Sequence, residues 1–190
     1  HQKEPEEKYI PELIREIDSY QIPANSLKTI YIGGGTPSVL STPLLEKLLS
    51  YLSHYFSTVK EFTIEANPES RTEEKAAIRS RYGVNRVSLG VESTNPTTLS
   101  YLGRNHTLEQ ALAAVANLKK HNIDNINLDF IYGVSGESLT DLKEDIQFAL
   151  NQNVKHLSFY SLQIEQGTVL HNQKTIPVSD DIYRMQYDFL

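Results

Sequence analysis

Residues 29–52 read TIYIGGGTPSVLSTPLLEKLLSYL, and the rest of the chain repeats their plan. Thr29 to Ile32 is a short β-rich run that stops at Gly33-Gly34-Gly35, as strands stop at turn residues. Thr42 can cap a helix with Pro43 at its first position, and Leu44, Leu45, Leu48, Leu49 and Leu52 then share one face. The unit is strand, glycine turn, helix. Working outward, four more β-rich runs follow: Glu61 to Ala66, Arg86 to Val91, Asn125 to Tyr132 and His156 to Leu162. Helical stretches separate them. Thr107 and Gln110 form a capping-box pattern ahead of Leu108, Leu112, Val115 and Leu118. Ser138 can cap a helix that turns Leu139, Leu142, Ile146 and Leu150 inward. Tyr9, Leu13, Ile14 and Ile17 mark a leading helix, with Pro11 near its start or kinking it, and Ser179 caps a final one. Strand, helix, strand at a repeat of about 25–40 residues predicts parallel βαβ units. The expected fold is therefore α/β with parallel strands, an open or partial barrel, with a doubly wound sheet as the alternative.

Bulk properties narrow the function. The chain has 190 residues, 39% apolar and 22% charged, which suits one soluble domain. Its formal net charge is −6, and it lacks the clustered Lys and Arg that phosphate backbones require. Nucleic acid is therefore not an expected partner. No apolar run approaches the roughly 18 residues of a membrane helix and no signal peptide is visible, so a cytoplasmic location is expected. The opening at His1, in a polar stretch, reads as a piece of a longer protein. There is no cysteine. That excludes disulfides, thiolate zinc sites, cysteine nucleophiles and a cysteine-held iron–sulfur cluster within this chain.

Ligands of parallel α/β folds bind at the carboxyl ends of the strands. Gly33, Gly34, Gly35 and Thr36 follow the first strand. Glu65 ends the second, and Glu92 ends the third with Arg104 about a dozen residues on. Asp129 lies in the fourth; Ser161 and Leu162 follow the fifth. Glycines and three carboxylates on one rim would suit a ligand carrying an amino group and ribose hydroxyls, and Arg104 could grip a carboxylate with two prongs. Each has a plainer reading. The glycines could be a tight turn only, Glu65 a loop carboxylate, Glu92 a turn cap, Arg104 a structural ion pair, and Asp129 a hydrogen-bonded strand residue. The glycine run is neither a Walker loop nor a dinucleotide fingerprint. Among the histidines, His106 stands out because it neighbours Arg104. No histidine pair has metal-site spacing, and no metal ligand set is predicted.

Five segments occur in order: Ile32-Gly33-Gly34-Gly35-Thr36-Pro37-Ser38, Ile64-Glu65-Ala66-Asn67-Pro68-Glu69, Asn85-Arg86-Val87-Ser88-Leu89-Gly90-Val91-Glu92-Ser93, Leu102-Gly103-Arg104-Asn105-His106-Thr107, and Leu128-Asp129-Phe130-Ile131-Tyr132-Gly133. Together they closely resemble the oxygen-independent coproporphyrinogen III oxidase-like radical SAM proteins, over roughly Lys28 to Thr168. The resemblance implies a partial (β/α)6 barrel holding S-adenosylmethionine (SAM) across its strand ends. It places Gly34, Gly35 and Thr36 at the methionyl amino end, Glu65, Arg104 and Asp129 in contact with SAM, and the backbone near Leu162 at the adenine. Glu92 stands where the family usually has Gln, and Gly133-Val134-Ser135 where it usually has Gly-Leu-Pro. In the family a 4Fe–4S cluster reduces SAM to a 5′-deoxyadenosyl radical, in service of porphyrin and heme metabolism. The cluster's three-cysteine loop follows a first strand that this chain is expected to lack. Residues 1–171 are thus expected to form a truncated core, and 172–190 to begin a connection to a C-terminal domain. Alone, the chain is expected to be inactive. Arg104-Asn105-His106-Thr107 looks more like the heme chaperone branch, which implies porphyrinogen or heme as the small-molecule ligand and a heme-related role for His106. An exposed sheet edge could also let such a fragment associate with itself.

Overall fold

A computed structural model describes residues 3–55, 57–70, 73–172 and 178–190. Five strands, β1 (Thr29–Ile32), β2 (Glu61–Ala66), β3 (Arg86–Glu92), β4 (Asn125–Tyr132) and β5 (His156–Ser161), form one sheet in the order β1-β2-β3-β4-β5. Every pairing is parallel. Eight helices are described: α1 (Lys3–Ser19), α2 (Thr42–Leu52), α3 (Glu73–Arg81), α4 (Pro96–Tyr101), α5 (Leu108–Lys120), α6 (Leu139–Asn151), α7 (Val169–Asn172) and α8 (Asp180–Phe189).

The strand order excludes the doubly wound alternative. Crossovers between parallel strands are right-handed, so adding each strand beside its predecessor places every crossover helix on the same face. A doubly wound sheet needs a point where the order reverses, and this one has none. The sheet therefore curls with helices outside, as a partial barrel.

Burial follows the same logic. Phe62, Ile64, Val87, Leu89, Val91, Ile126, Leu128 and Phe130 point outward from the barrel into the core. There they meet Leu45 and Leu49 of α2, Ala111, Val115 and Leu118 of α5, and Ala149 of α6. Their alternate neighbours, among them Tyr31, Glu65, Ser88, Asn127, Asp129 and Ser158, face the hollow of the sheet. Side chains alternate across a strand, so one face is a hydrophobic core and the other a polar trough.

Several boundaries differ from expectation. Ser41, not Thr42, is the N-cap of α2. β3 continues to Glu92 and β5 stops at Ser161. Leu112 and Leu150 are exposed rather than inward. On α5, Ala111, Ala114, Val115 and Leu118 are buried, and on α6 Leu142, Asp145, Phe148 and Ala149. Small alanines let a helix seat closely on the sheet, so the buried stripe is rotated away from the leucine spacing. The capping boxes at Thr107 and Ser138 form as predicted, and Ser179 caps α8. Pro11 lies inside α1. The expected boundary between residues 171 and 172 adjoins residues outside those described. Among the described residues, no helix is long and apolar enough to cross a membrane.

Candidate functional site at the strand ends

A cleft of about 300 Å³ opens at the carboxyl ends of the strands, lined by Tyr31, Glu65, Ser88, Glu92, Arg104, Asp129, Ile131 and Tyr160. The four charged residues singled out from sequence meet there, although they are spread over 65 positions of the chain.

Glu65 reaches the cleft from the last turn of β2. Its Oε1 accepts from the Tyr31 hydroxyl at 2.7 Å, and its Oε2 from the Gly34 amide at 3.3 Å. Gly33 leaves the necessary space: a Cβ there would lie 2.6 Å from Glu65 Oε1. Gly34 and Gly35 have φ of +79° and +65°, a backbone that other residues adopt at a cost. The turn is then tied to the next strand end. Buried Ser38 Oγ accepts from the Asn67 amide at 3.1 Å, and Ser38 O accepts from Lys75 Nζ at 2.7 Å. Thr36 precedes the short turn Pro37–Val39 without a side-chain capping bond.

Glu92 and Arg104 form a pair, with Arg104 Nη2 donating to Glu92 Oε1 at 2.6 Å. The backbone delivers both. β3 bulges between Gly90 and Glu92, Glu92 has φ +66°, and the Ser93 amide bonds Val91 O at 2.8 Å. That is a γ-turn centred on Glu92, a strained conformation. Gly90 provides the room, since a Cβ on it would lie 2.9 Å from Glu92 Oε1. Arg104 follows a Schellman ending on α4. Gly103 has φ +69°, its amide bonds Ser100 O, and the Arg104 amide bonds Leu99 O. Burial raises the Glu92 carboxyl above the usual carboxylate range; Arg104 opposes this and Asp129 adds to it.

Asp129 is held from below. Ser88 Oγ donates to Oδ2 and Asn127 Nδ2 to Oδ1, each at 2.7 Å. Burial again raises its carboxyl; Ser88 and Asn127 pull it back, while Glu65 pushes it up. The cleft thus carries three carboxylates and one guanidinium and is set to receive a ligand with net positive charge.

Of the other expected residues, Gly34, Gly35 and Thr36 do not line the cleft but adjoin it through the Gly34 bond to Glu65, and Leu162 and His106 lie elsewhere. The Leu162 amide, beyond β5, is engaged with Tyr132 O at 2.9 Å and does not line the cleft. His106 lines a neighbouring hollow of about 410 Å³, but its side chain is only 1% exposed. Its Nε2 donates to Val91 O at 2.9 Å, and its Nδ1 lies 3.7 Å from Glu69 Oε1. Neither nitrogen is offered to a heme iron in this conformation. Among the described residues, no group of three or more His, Cys, Asp or Glu could hold a metal ion. The sequence reading missed Tyr31, Ser88, Ile131 and Tyr160 as cleft residues. Strand alternation could have found Ile131, two residues from Asp129, and Tyr31, two from Gly33.

Comparison with known proteins gives a consistent picture. A family described as the radical SAM superfamily matches residues 1–149. A heme chaperone HemW from Lactococcus lactis subsp. lactis (strain IL1403) is 38% identical over 98% of this chain and 52% of its own length. One from Buchnera aphidicola subsp. Acyrthosiphon pisum (strain APS) is 37% identical over 95% of this chain and 49% of its own. The chain therefore spans about half the length of these curated relatives. Among solved structures, the radical SAM coproporphyrinogen III oxidase HemN of Escherichia coli matches all of this chain and 46% of its own, with TM-score 0.84 at 21% identity. At that identity the likeness concerns the fold.

Proposed function

Since this chain belongs to the radical SAM superfamily, we propose that the strand-end cleft binds S-adenosylmethionine, as the core of a coproporphyrinogen III oxidase-like protein of heme metabolism. The observation that carries this is the convergence of Glu65, Glu92, Arg104 and Asp129 on one cleft. SAM presents an ammonium, a sulfonium, a carboxylate and ribose hydroxyls. Glu65 and the Gly34–Thr36 turn suit the ammonium, Arg104 the carboxylate, and Asp129 the hydroxyls, with charge-assisted bonds stronger than neutral ones. Glu92 already holds one face of Arg104, so it orients the guanidinium and adds negative charge toward the sulfonium.

No residue here fits an iron–sulfur cluster, because the chain has no cysteine. Reductive cleavage of SAM therefore belongs to the whole protein, with the cluster ligands supplied from outside these residues. The reading assigns residues 1–171 to a truncated core and 172–190 to a connection. It places the protein in the cytoplasm.

Isothermal titration of the chain with SAM tests the site. We expect binding that weakens at least tenfold in Asp129→Ala and in Glu65→Ala, and weaker binding of S-adenosylhomocysteine, which lacks the sulfonium charge. Absence of SAM binding, or variants that bind as wild type, would overturn the assignment. For the whole protein, the heme chaperone reading is favoured over the oxidase, because relatives at 38% and 37% identity carry that name. Following the Soret band of heme titrated into the full-length protein separates the two. Porphyrinogen decarboxylation without heme binding would decide for the oxidase.

A further inference from the structure

Besides its bond to Asp129, one buried polar side chain beneath the cleft makes three further contacts. We propose that Asn127 is a positioning residue, a four-bond hub that holds the Asp129 carboxylate in its ligand-facing orientation by joining β3, β4 and β5 beneath it. The proposal rests on the SAM reading for its functional meaning.

The geometry leaves the amide no freedom. Asn127 is 2% exposed and lies two residues before Asp129, on the same face of β4. Its Nδ2 donates to Asp129 Oδ1 at 2.7 Å and to Ser88 Oγ at 2.8 Å. Its Oδ1 accepts from Ser158 Oγ at 3.1 Å and faces His156 Nδ1 at 3.3 Å. An amide has two N–H donors and two carbonyl lone pairs, and all four are used. Flipping it would set the amide oxygen against a carboxylate oxygen, so only this orientation is favourable. The strand register supplies the partners: Asn127 pairs with Ser88 across β3 and with His156 across β5, and Asp129 pairs with Ser158.

The hub fixes Asp129 at both oxygens. Asn127 holds Oδ1 directly. Its second N–H orients Ser88, whose hydroxyl proton then goes to Oδ2 at 2.7 Å. A carboxylate held by two donors on one side keeps its remaining lone pairs for the cleft. An apolar side chain could fill the space of Asn127, but it could not supply either donor. A buried amide is itself unfavourable unless fully bonded, so its presence here has a use in the bonds it makes.

The hub also opposes the surroundings. The titratable and charged groups facing Asp129 are Tyr31 on β1, Glu65 on β2, Glu92 on β3, Tyr160 and His156 on β5, and Arg104 after α4. Burial and Glu65 favour the protonated acid, whereas the donors Ser88 and Asn127 favour the carboxylate. A protonated Asp129 would carry a donor where ligand hydroxyls need an acceptor. Because an amide oxygen only accepts, the contact with His156 places a proton on Nδ1.

The test uses side-chain carboxyl NMR on the ligand-free chain, with the Asp129 signal assigned by its loss in Asp129→Asn. Asn127→Leu removes both donors. Asn127→Asp keeps the shape and replaces a donor by a second acid, so it serves even if the leucine variant folds poorly. We expect the Asp129 midpoint to rise by at least about one pH unit in either variant, a tenfold change in its proton affinity. SAM affinity should then begin to fall at a higher pH in the variants than in wild type, and at low pH by up to about tenfold more for each unit the midpoint has risen. A purely structural Asn127 would lower stability without adding this pH dependence. Asp129 midpoints unchanged in both variants would overturn the proposal, whatever SAM does. A wild-type chain that binds no SAM would instead overturn the cleft assignment, and the NMR midpoints would still decide the role of Asn127.

Discussion

Glu92 combines two unfavourable conditions at one residue: a left-handed backbone with φ +66° and a nearly buried carboxylate whose pKa is raised by that burial. Strain of this kind costs about 1–3 kcal/mol and persists where the surroundings impose it. Replacing Glu92 by Gly removes both, while Arg104, a third exposed, can turn to water. We expect Glu92→Gly to raise stability by about 1 kcal/mol in urea denaturation and to weaken SAM binding at least tenfold by titration. A variant that is both less stable and equally tight would show that the γ-turn is not strained and the carboxylate not used. At this scale, the sequence disclosed which residue types meet at the site but not what sets them in place. Glu65, Arg104 and Asp129 are visible because acids and a guanidinium at strand ends suggest a ligand. The γ-turn at Glu92 is not visible, because a glutamate carries no sign of positive φ. Asn127 is hidden for a related reason. Asparagine in a strand reads as a weak strand former, and its value lies in four partners drawn from three strands.

The elements most open to sequence reading were those with an apolar period. β2 and β4 have the predicted limits, and the helices introduced by Thr107 and Ser138 begin at those caps. α3 was not foreseen, because EEKAAIRSR buries only Ala76, Ile78 and Arg79 and presents no apolar stripe. α8 was foreseen from its cap, but its anchorage was not. Tyr183 stacks on Tyr132 at 5.5 Å between ring centres. Gln186 Nε2 donates to Glu137 Oε2 at 3.0 Å, and that same oxygen accepts from the Gly133 and Val134 amides. Glu137 Oε1 and Gln186 Oε1 are buried without partners. A charge on Glu137 would therefore be poorly solvated there, which favours the neutral acid. Burial accordingly raises the Glu137 carboxyl to about 7 from 4.5. Since the folded value lies above the unfolded one, the stabilisation is complete below about pH 4.5 and is lost as pH rises through about 7. The gap corresponds to about 3 kcal/mol. Asp145, raised to about 6 chiefly by burial, acts in the same direction. Glu137→Gln is uncharged at every pH and so escapes the cost of burying a carboxylate. Its unfolding free energy should therefore fall about 3 kcal/mol less than that of wild type between pH 4.5 and 8, and it should be the more stable protein at pH 8. Parallel pH profiles for the two would show that burial does not raise the Glu137 carboxyl.

At the scale of the molecule, the sheet has two unequal margins. β1 ends the sheet on one side, and beside it runs an apolar groove of about 350 Å³ lined by Tyr9, Leu13 and Ile17 of α1 and by Leu48 and Leu52 of α2. A free strand margin next to apolar surface invites pairing with another chain. We expect the isolated chain to self-associate with rising concentration in sedimentation velocity. Thr29→Lys, which adds a charge to the exposed start of β1, should reduce that association while leaving SAM affinity within about twofold. Unchanged association in Thr29→Lys would exclude the β1 margin as the contact. The overall class was legible because strand and helix alternate along the whole chain. Curvature was less so, since it depends on strand order, which composition does not record. The unbroken order β1 to β5 makes the fold a spiral staircase in which each tread rests only on the one before. A further tread laid against either end would lengthen the stair without moving those already placed. A ligand lying across all the treads would then meet new contacts at its ends and the same ones at its middle, so proteins of this plan can vary in length and in chemistry while keeping one grip at the centre.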